Sequence, residues 1–509
     1  MLARTLAATP WGIDALPVEV EVDVQKGLPH LQLVGLPDTA VKESRDRVRA
    51  AIMNSGFRIR PRGVVINLAP ADLRKEGNYL DLAIALTLLA GHKVLSGDPL
   101  EGRMICGELS LDGSLRPIRG ALAIAELAHR LQVQELLLPA SVAKEAAALS
   151  ANLAVVPIHH LADAVQHLIG TERIAPAQWS ATTDPPGSPA VDLADVKGCA
   201  PPRRALEIAA AGGHNLLMNG PPGTGKTMLA RALPGILPPL THDESLEVTR
   251  IHSAAGVGGA METRRGRLVA TRPFRAPHSS VSTAGLIGGG SVPRPGEVSL
   301  AHCGVLFLDE LPEFARSTLE CLRQPMEEGR IHISRARAQL SFPARFSLVA
   351  ACNPCPCGFL GDPRHDCRCS PSRLENYESR LSGPLLDRID LRVEVPRVDL
   401  DEYRSTETPE SSERVRERVS AIRAVQLERD GKLASQLSAK QMDDLELAAP
   451  ARKLLERAYE RFGLSLRSVH RIQRVGRTIA DLAGSNIVES PHLSEALQFR
   501  MLDREEVAA

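Results

Sequence analysis

Residues 220–227 read GPPGTGKT, and this run decides the fold of the middle of the chain. It matches the phosphate-loop pattern GxxxxGK[ST], in which glycines let backbone N–H groups turn towards phosphate oxygens. HNLLMN (214–219) before it predicts a strand, and KTMLARAL (226–233) predicts the start of a helix. The N-terminus of that helix adds partial positive charge that favours an anion. Strand, glycine-rich loop and helix in this order predict a nucleotide-binding α/β domain.

The side chains of this loop suggest how ATP and Mg²⁺ would be bound. Lys226 should reach the β- and γ-phosphates, and Thr227 should ligate Mg²⁺ through its hydroxyl. The expected nucleotide-binding residues are Gly220, Pro221, Pro222, Gly223, Thr224, Gly225, Lys226 and Thr227. The alternative is a chance glycine-rich turn, which the strand and the helix on either side disfavour.

Two further strands end in polar residues. VLFLDE (305–310) is apolar up to Asp309, and open α/β sheets bind ligands at the carboxyl ends of their strands. Asp309 should hold Mg²⁺, and Glu310 should orient and polarise the attacking water. FSLVAACN (346–353) ends at Asn353, whose amide could bond that water or the γ-phosphate; the alternative is an Asn that caps a turn. The three strand ends together predict a phosphohydrolase site.

A cysteine cluster follows the third of these strands, because five of the nine cysteines fall within 352–369. Two CxC pairs are separated by nine residues. The four cysteines of these pairs are Cys355, Cys357, Cys367 and Cys369. Four thiolates in two close pairs suit a structural, tetrahedral Zn²⁺. His365 could replace one ligand, and a reduced thiol cluster without metal is the alternative.

The 509 residues predict about three domains at roughly 150 residues each. With 61 Lys+Arg against 61 Asp+Glu the net charge is zero, which excludes a polycation that binds nucleic acid by bulk charge. Aromatic residues are only 3%, so an aromatic stacking platform for single strands is disfavoured. No apolar run reaches about eighteen residues, and the N-terminus does not read as a secretory signal. We therefore expect a cytoplasmic protein that does not enter a membrane.

The domain organisation follows from shifts in pattern along the chain. Alternating strands and helices fill the first part, with helices expected at 38–55 and 80–91 and a strand at 63–70. A stretch rich in Pro, Ser and Thr then indicates a linker. The expected division is 1–170, an α/β domain; 171–190, the linker; 191–396, the nucleotide-binding domain with the cysteine cluster; and 397–509, a helical domain.

Four motifs in order, GPPGTGKT, VLFLDELPEF, LVAACNPCPCG and RLSGPLLDRIDL, resemble AAA+ ATPases of the magnesium-chelatase-like ComM/YifB family. The similarity extends to 272–304 and 465–484 and covers essentially the whole chain. Three positions depart from the usual family pattern. Cys199 stands where Gln is usual, Ser279 replaces a second His, and Cys352 replaces a Met.

This resemblance implies a P-loop AAA+ domain with a helical lid after it and, before it, an α/β domain like that of Lon protease (ribosomal S5 domain 2-like). It implies a homohexameric ring with ATP between subunits. Arg388, in LLDRID, matches the arginine finger, and Arg467 matches the lid-domain sensor arginine. Arg380 is a second finger candidate. A helix-surface salt bridge is the alternative for each.

The segment 105–139 is similar to the proteolytic domain of Lon, which uses a Ser–Lys dyad. The two dyad positions align near Leu80 and Leu122, and neither residue can act as nucleophile or base. The resemblance therefore implies a Lon-like fold without proteolysis, serving DNA binding or ring assembly.

Members of the family, by resemblance, are DNA helicases that drive branch migration in recombination and natural transformation. The segment 329–346 predicts a hairpin that would present Arg335 and Arg337 to branched or single-stranded DNA in a ring channel. A solvated hairpin with basic edge residues is the alternative. One rival function is the motor subunit of a metal-chelatase-like complex that acts on a protein partner. A second is an ATP-dependent protease, which the missing dyad disfavours. A third is an ATP-gated scaffold, which the presence of Glu310 disfavours.

Overall fold

A computed structural model describes the chain except for residues 27, 29, 36–38, 72–74, 76–77, 96, 150–152, 180–190, 257–267, 290–293, 336–337, 363, 381–382, 399–408 and 502–509. Contacts within the chain divide it into two compact units. The first comprises Met1–Asp184, His242–Val269 and Val292–Pro295, and the second comprises Pro185–Thr241, Ala270–Ser291 and Gly296–Ala509. The first unit thus includes two stretches from the middle of the chain. The four-part division expected from the sequence stays a prediction.

The first unit is built on a mixed β-sheet. Its strands are β1 (Leu2–Trp11), β2 (Asp14–Gln25), β3 (His30–Val34), β4 (Gly63–Ala69), β5 (Arg103–Ile105), β6 (Glu108–Leu109), β7 (Leu115–Arg116), β8 (Glu135–Pro139), β9 (Ala154–Ile158) and, from the later stretch, β13 (Arg294–Pro295). Seven of them form one sheet in the order β3-β4-β2-β1-β5-β8-β9. Strands β4, β2 and β1 pair antiparallel, whereas β1, β5, β8 and β9 run parallel.

Helices cover this sheet. They are α1 (Thr39–Asn54), α2 (Asp81–Gly91), α3 (Ala121–Arg130), α4 (Ala140–Ala146), α5 (Leu161–Ile169), α8 (His242–Ala255) and a 3₁₀ turn at Ala147–Leu149. Every residue of α2 is buried, as is typical of a helix with apolar residues on all its faces, and the helix buries Asp81 and Thr87 as well. Helix α8 joins the unit through Arg250, which forms ion pairs with Asp14 at 2.6 Å and with Glu126 at 3.1 Å.

The second unit contains a parallel sheet. Its strands are β10 (Leu216–Asn219), β11 (Phe274–Arg275), β12 (Gly288–Gly289), β14 (Val305–Leu308), β15 (Arg330–Arg335), β16 (Ala338–Pro343), β17 (Ser347–Cys352) and β18 (Leu391–Glu394). Five of these form a fully parallel sheet in the order β11-β14-β17-β10-β18. Strands β15 and β16 pair antiparallel as a separate hairpin. The predicted hairpin at 329–346 is confirmed.

Helices surround this parallel sheet and form the end of the chain. They are α6 (Ala200–Gly212), α7 (Lys226–Ile236), α9 (Thr283–Ile287), α10 (Glu297–Leu300), α11 (Arg316–Glu320), α12 (Arg323–Glu328), α13 (Pro371–Arg380), α14 (Gly383–Leu386), α15 (Ser412–Asp430), α16 (Ala439–Asp443), α17 (Ala449–Phe462), α18 (Leu466–Leu482) and α19 (Ser490–Met501), with 3₁₀ turns at Leu193–Asp195, Leu311–Glu313 and Ala434–Gln436. Helix α18 buries Ile472, Val475 and Ile479, spaced to share one face.

The fold class expected from the sequence is confirmed at the level of a mixed α/β protein with a parallel-sheet core and a helical C-terminal region. The helices expected at 38–55 and 80–91 are α1 and α2, and the strand expected at 63–70 is β4. Of the predicted linker, 180–190 lies outside the described residues. Residues 171–179 form no regular element, but Ile174 and Trp179 among them pack against the N-terminal core. Within the described parts of the chain, no helix has both the length and the apolarity needed to cross a membrane.

Candidate functional site

Three strand ends meet at one edge of the parallel sheet. Strand β17 lies between β14 and β10, and all three run in the same direction. Asn219 at the end of β10 lies opposite Cys352 at the end of β17. The residues that follow these strands therefore leave the sheet side by side, as the sequence predicts for a ligand site.

The glycine-rich loop, residues 220–227, connects β10 to α7. Gly223 and Gly225 have φ angles of +79° and +88°, a region that residues with a side chain rarely adopt. A Cβ at Gly220 would lie 2.3 Å from the carbonyl oxygen of Val395, so only glycine fits there. Helix α7 begins at Lys226 directly after the loop, and the first N–H groups of a helix have no partner within it. The loop can thus surround an anion with backbone donors.

Lys226 lies at the centre of the site. Its Nζ donates to the carbonyl oxygens of Gly220 at 2.6 Å and Pro221 at 2.8 Å, and to Oδ1 of Asn353 at 3.2 Å. Desolvation lowers the pKa of Lys226, opposed by the charges of nearby groups that include Asp309 and Glu310. The structure therefore brings together the lysine and the asparagine that the sequence suggested separately.

Thr227 and Asp309 form the second half of the site. The Thr227 hydroxyl donates to Oδ2 of Asp309 at 3.0 Å, so the two oxygens expected to hold Mg²⁺ are already adjacent. Hydroxyl and carboxylate oxygens are the ligand types that Mg²⁺ prefers. Glu310 follows with a φ of +51°, and its backbone N–H donates to Oδ1 of Asp309 at 3.0 Å. A glutamate in this conformation costs of order 1–3 kcal/mol and is typical of functional sites.

Asn353 is held from both sides. Its side chain accepts from Lys226, as described above, and its backbone carbonyl accepts a hydrogen bond from the Tyr377 hydroxyl at 3.2 Å. The side chain thus lies within the site, which favours the catalytic interpretation over a turn cap. Cys352, beside it, is buried, and desolvation raises the pKa of its thiol to about 11. Cys352 is therefore a neutral core residue.

The four cysteines of the CxC pairs converge. Sγ of Cys355 lies 3.2 Å from that of Cys357 and 3.7 Å from that of Cys367, and the last two are 3.6 Å apart. All four Sγ atoms lie within 4.8 Å of one another. Four sulfurs placed about 2.3 Å from one Zn²⁺ in a tetrahedron would be about 3.8 Å apart. The donor set and its spacing therefore fit zinc.

Two further observations bear on the cysteine cluster. Backbone N–H groups of Arg368 and Phe359 lower the pKa of Cys357, whereas desolvation and the neighbouring thiols raise the pKa of Cys367 and Cys369, so without a metal ion the cluster favours one thiolate among neutral thiols. His365, the alternative ligand, stacks on Phe359 with ring centroids 4.9 Å apart. It is not among the four clustered ligands, so the structure favours the cysteines.

The predicted arginines occupy different environments. Arg388 is only 7% exposed and contacts the carboxylate of Glu327. Arg380 has a side chain that is 54% exposed and bonds to Glu313 at 3.3 Å. Arg467 is exposed near the start of α18. Of the predicted DNA contacts, Arg335 ends strand β15, but its side chain and all of Arg337 lie outside the described residues.

Sequence reasoning missed three features of this site. Tyr377 supports Asn353 from 24 residues further along the chain, Glu327 is the partner of Arg388, and Gly358 packs on Pro222 of the glycine-rich loop. None of these contacts has a local pattern that would reveal it. Tyrosine is rare in the chain, with four residues, and this is the one weak signal in the sequence that could single out Tyr377.

Comparison with known proteins gives matches along the chain. Three family models match: "Magnesium chelatase, subunit ChlI" over residues 192–403, "Subunit ChlI of Mg-chelatase" over 20–142 and "Magnesium chelatase, subunit ChlI C-terminal" over 409–500. Competence protein ComM of Haemophilus influenzae is 44% identical over 508 residues, 99% of this chain and 98% of that protein. YifB of Escherichia coli is 44% identical over 501 residues, 97% and 96%. Protein Rv2897c of Mycobacterium tuberculosis is 42% identical over 505 residues, 98% of each.

Fold and site together define a mixed α/β protein of the magnesium-chelatase type, whose parallel sheet collects a lysine, a threonine, an aspartate, a glutamate and an asparagine at one edge. Within that class, the chain belongs to the ComM/YifB family.

Proposed function

We propose that this protein is an ATP-dependent, hexameric DNA translocase that promotes branch migration in homologous recombination and natural transformation. One observation carries the ATPase part: two hydrogen-bonded pairs, Lys226 with Asn353 and Thr227 with Asp309, lie at the same edge of the parallel sheet. The DNA part is supported by the name "Competence protein ComM" of a relative that is 44% identical over nearly the full length.

The chemistry assigns each group a task. Backbone N–H groups of the glycine-rich loop bind the phosphates, and Lys226 leaves its present carbonyl partners to pair with the β- and γ-phosphates. Thr227 and Asp309 would hold Mg²⁺, which would neutralise charge on the phosphates when bound. Glu310 orients the attacking water and accepts its proton, while the Asn353 amide positions that water or the γ-phosphate.

Assembly into a ring would complete the site. Arg388 of a neighbouring subunit would stabilise charge that develops on the γ-phosphate, and Arg467 would act from the helical lid. Arg380 remains the alternative finger. In this proposal Arg388, which contacts the Glu327 carboxylate within its own subunit, would exchange that partner for a phosphate when subunits meet.

DNA should stimulate the motor if the translocase proposal is right. We expect branched DNA to raise the ATPase rate and the protein to move a four-way junction, because a channel that holds the phosphate backbone couples hydrolysis to strand movement. The double variant Arg335→Ala, Arg337→Ala should weaken binding of forked DNA and lower the dependence of binding on salt. The double variant Arg452→Ala, Arg457→Ala, on exposed positions of α17, is the control. Unchanged binding by the hairpin variant would contradict the channel contacts.

A second candidate function is the motor subunit of a metal-chelatase-like complex. The family models named for the ChlI subunit of magnesium chelatase favour it. ATPase stimulation by a chelatase partner protein, with none by branched DNA, would select this function.

The N-terminal unit is proposed to be Lon-like without protease activity. Leu80 and Leu122, at the aligned dyad positions, are 2% and 0% exposed. Side chains that are apolar and buried provide neither a nucleophile nor a base. We propose that this unit serves DNA binding or ring assembly instead.

Zinc should be present at roughly one equivalent per chain, as expected for a site closed by four thiolates. Cys369→Ser should lower this content strongly and destabilise the protein, because the metal ties together a loop with little regular structure. Cys321→Ser, which alters a cysteine outside the cluster, should change neither value. Metal analysis of the purified variants and thermal unfolding measure both effects. A wild-type content below roughly half an equivalent would reject the site.

A further inference from the structure

The loop that contains the four cysteines begins and ends at the nucleotide site. We call residues 354–370 the cysteine loop. It leaves strand β17 through Asn353, and helix α13 follows it directly. From α13, the Tyr377 hydroxyl returns to the backbone carbonyl of Asn353 at 3.2 Å. The start of the loop and the helix after it are therefore joined at the residue whose side chain contacts Lys226.

The cysteine loop also packs on the glycine-rich loop. Gly358 is buried with a φ of +83°, and a Cβ added there would lie 2.7 Å from Cδ of Pro222. The Gly358 backbone thus packs directly on the rigid ring of Pro222 and leaves no space for a side chain. Gly361, in the same loop, has a similar φ of +73°, but an added Cβ would meet nothing within 4 Å. The close approach is specific to Gly358.

The buried end of the cysteine cluster faces this contact. Cys355 is 0% exposed, and its carbonyl accepts the N–H of Gly358 at 2.9 Å, which fixes the turn that touches Pro222. Further along, Arg397 pairs with Asp362 at 2.9 Å and ties the loop to the segment after β18. A shared metal ion would add strong bonds between the two CxC pairs to the weak sulfur contacts and the Arg368 N–H bond to Cys357 that the described residues show.

We propose that the metal-loaded cysteine loop positions the nucleotide site, with Gly358 and Tyr377 as positioning residues that hold Pro222 and Asn353 in place. This inference rests on the proposed function and assigns the cysteine cluster a role beyond stability. Metal and nucleotide then bind with positive coupling, and linkage requires each to raise the affinity of the other by the same factor.

Two pairs of variants separate positioning from general destabilisation. Gly358→Ala should weaken binding of a fluorescent ATP analogue about tenfold, within the usual range of coupling between sites, whereas Gly361→Ala, which carries the same backbone cost without the contact, should bind like wild type. Tyr377→Phe should weaken binding about threefold or more, since one hydrogen bond is lost. Tyr459→Phe, an exposed tyrosine on α17, is its control. Zinc content and melting temperature verify that each variant is folded and loaded.

Because the coupling between metal binding and nucleotide binding is reciprocal, the rate of zinc release measures it without ATP hydrolysis. A non-hydrolysable ATP analogue should slow the release of zinc to a competing chelator in wild type, with a smaller effect in Gly358→Ala. In Lys226→Ala the analogue should have no effect, which excludes chelation by the nucleotide in solution.

The outcomes are distinguishable. Failure of the wild-type protein to bind the ATP analogue would overturn the proposed function and this inference with it. The inference alone would be overturned by a different result: the wild-type protein binds the analogue normally, the two variants of each pair bind it with equal affinity, and the nucleotide does not change the rate of zinc release.

Discussion

Glu310→Gln should bind ATP at close to the wild-type affinity and lose hydrolysis by about 10²–10⁴-fold, the usual worth of a positioned base. Glutamine has the shape of glutamate but cannot accept a proton from water. The substitution should not disturb Asp309, because that residue accepts from the backbone N–H of position 310 rather than from its side chain. The effect should therefore appear in kcat and not in nucleotide binding.

Phosphate release and binding of a fluorescent ATP analogue measure the two quantities. Glu328→Gln removes an exposed carboxylate on α12 and should leave both unchanged. Turnover of Glu310→Gln near the wild-type rate would refute the assignment of Glu310 as the base. Loss of both binding and turnover would instead indicate that the substitution disturbed the magnesium ligands.

Local patterns in the sequence were sufficient to predict the main elements of the site. Strands β10, β14 and β17 are short apolar runs that end in polar residues, and each is buried in the parallel sheet. The glycine-rich loop was predictable because its conformation demands glycine at positions such as Gly223 and Gly225. The close pairs Lys226–Asn353 and Thr227–Asp309 follow once parallel strands are placed side by side.

Contacts that depend on tertiary packing could not be predicted. Nothing in the composition of helix α8 shows that it belongs with the N-terminal unit, because Arg250 could pair with any exposed carboxylate. The approach of Gly358 to Pro222 depends on how two loops pack, and a glycine in a turn-rich loop predicts only a turn. Likewise, the sequence marked Arg388 by its motif but could not show that this side chain is buried against Glu327.

Arg388→Ala should retain ATP binding and lose hydrolysis by at least about 10³-fold, as expected for an arginine that stabilises the transition state from a neighbouring subunit. Arg388 is buried against Glu327 within its own subunit, whereas Arg380 is half exposed. Exposure alone would favour Arg380, so Arg380→Ala is the necessary comparison. If Arg380→Ala lost hydrolysis and Arg388→Ala kept it, Arg380 would be the arginine finger.

Mixing two inactive variants tests whether the arginine acts between subunits. Lys226→Ala subunits lack a working nucleotide site but keep Arg388, and Arg388→Ala subunits have the opposite defect. In a mixed ring, an Arg388→Ala subunit can receive the arginine of a Lys226→Ala neighbour, so part of the ATPase activity should return. An arginine that acted only within its own subunit could not be supplied in this way, and the mixture would stay inactive at every ratio. If the recovered ATPase activity varies with the mixing ratio as the probability of an Arg388→Ala subunit beside a Lys226→Ala subunit does, the site is completed by a second copy of the chain.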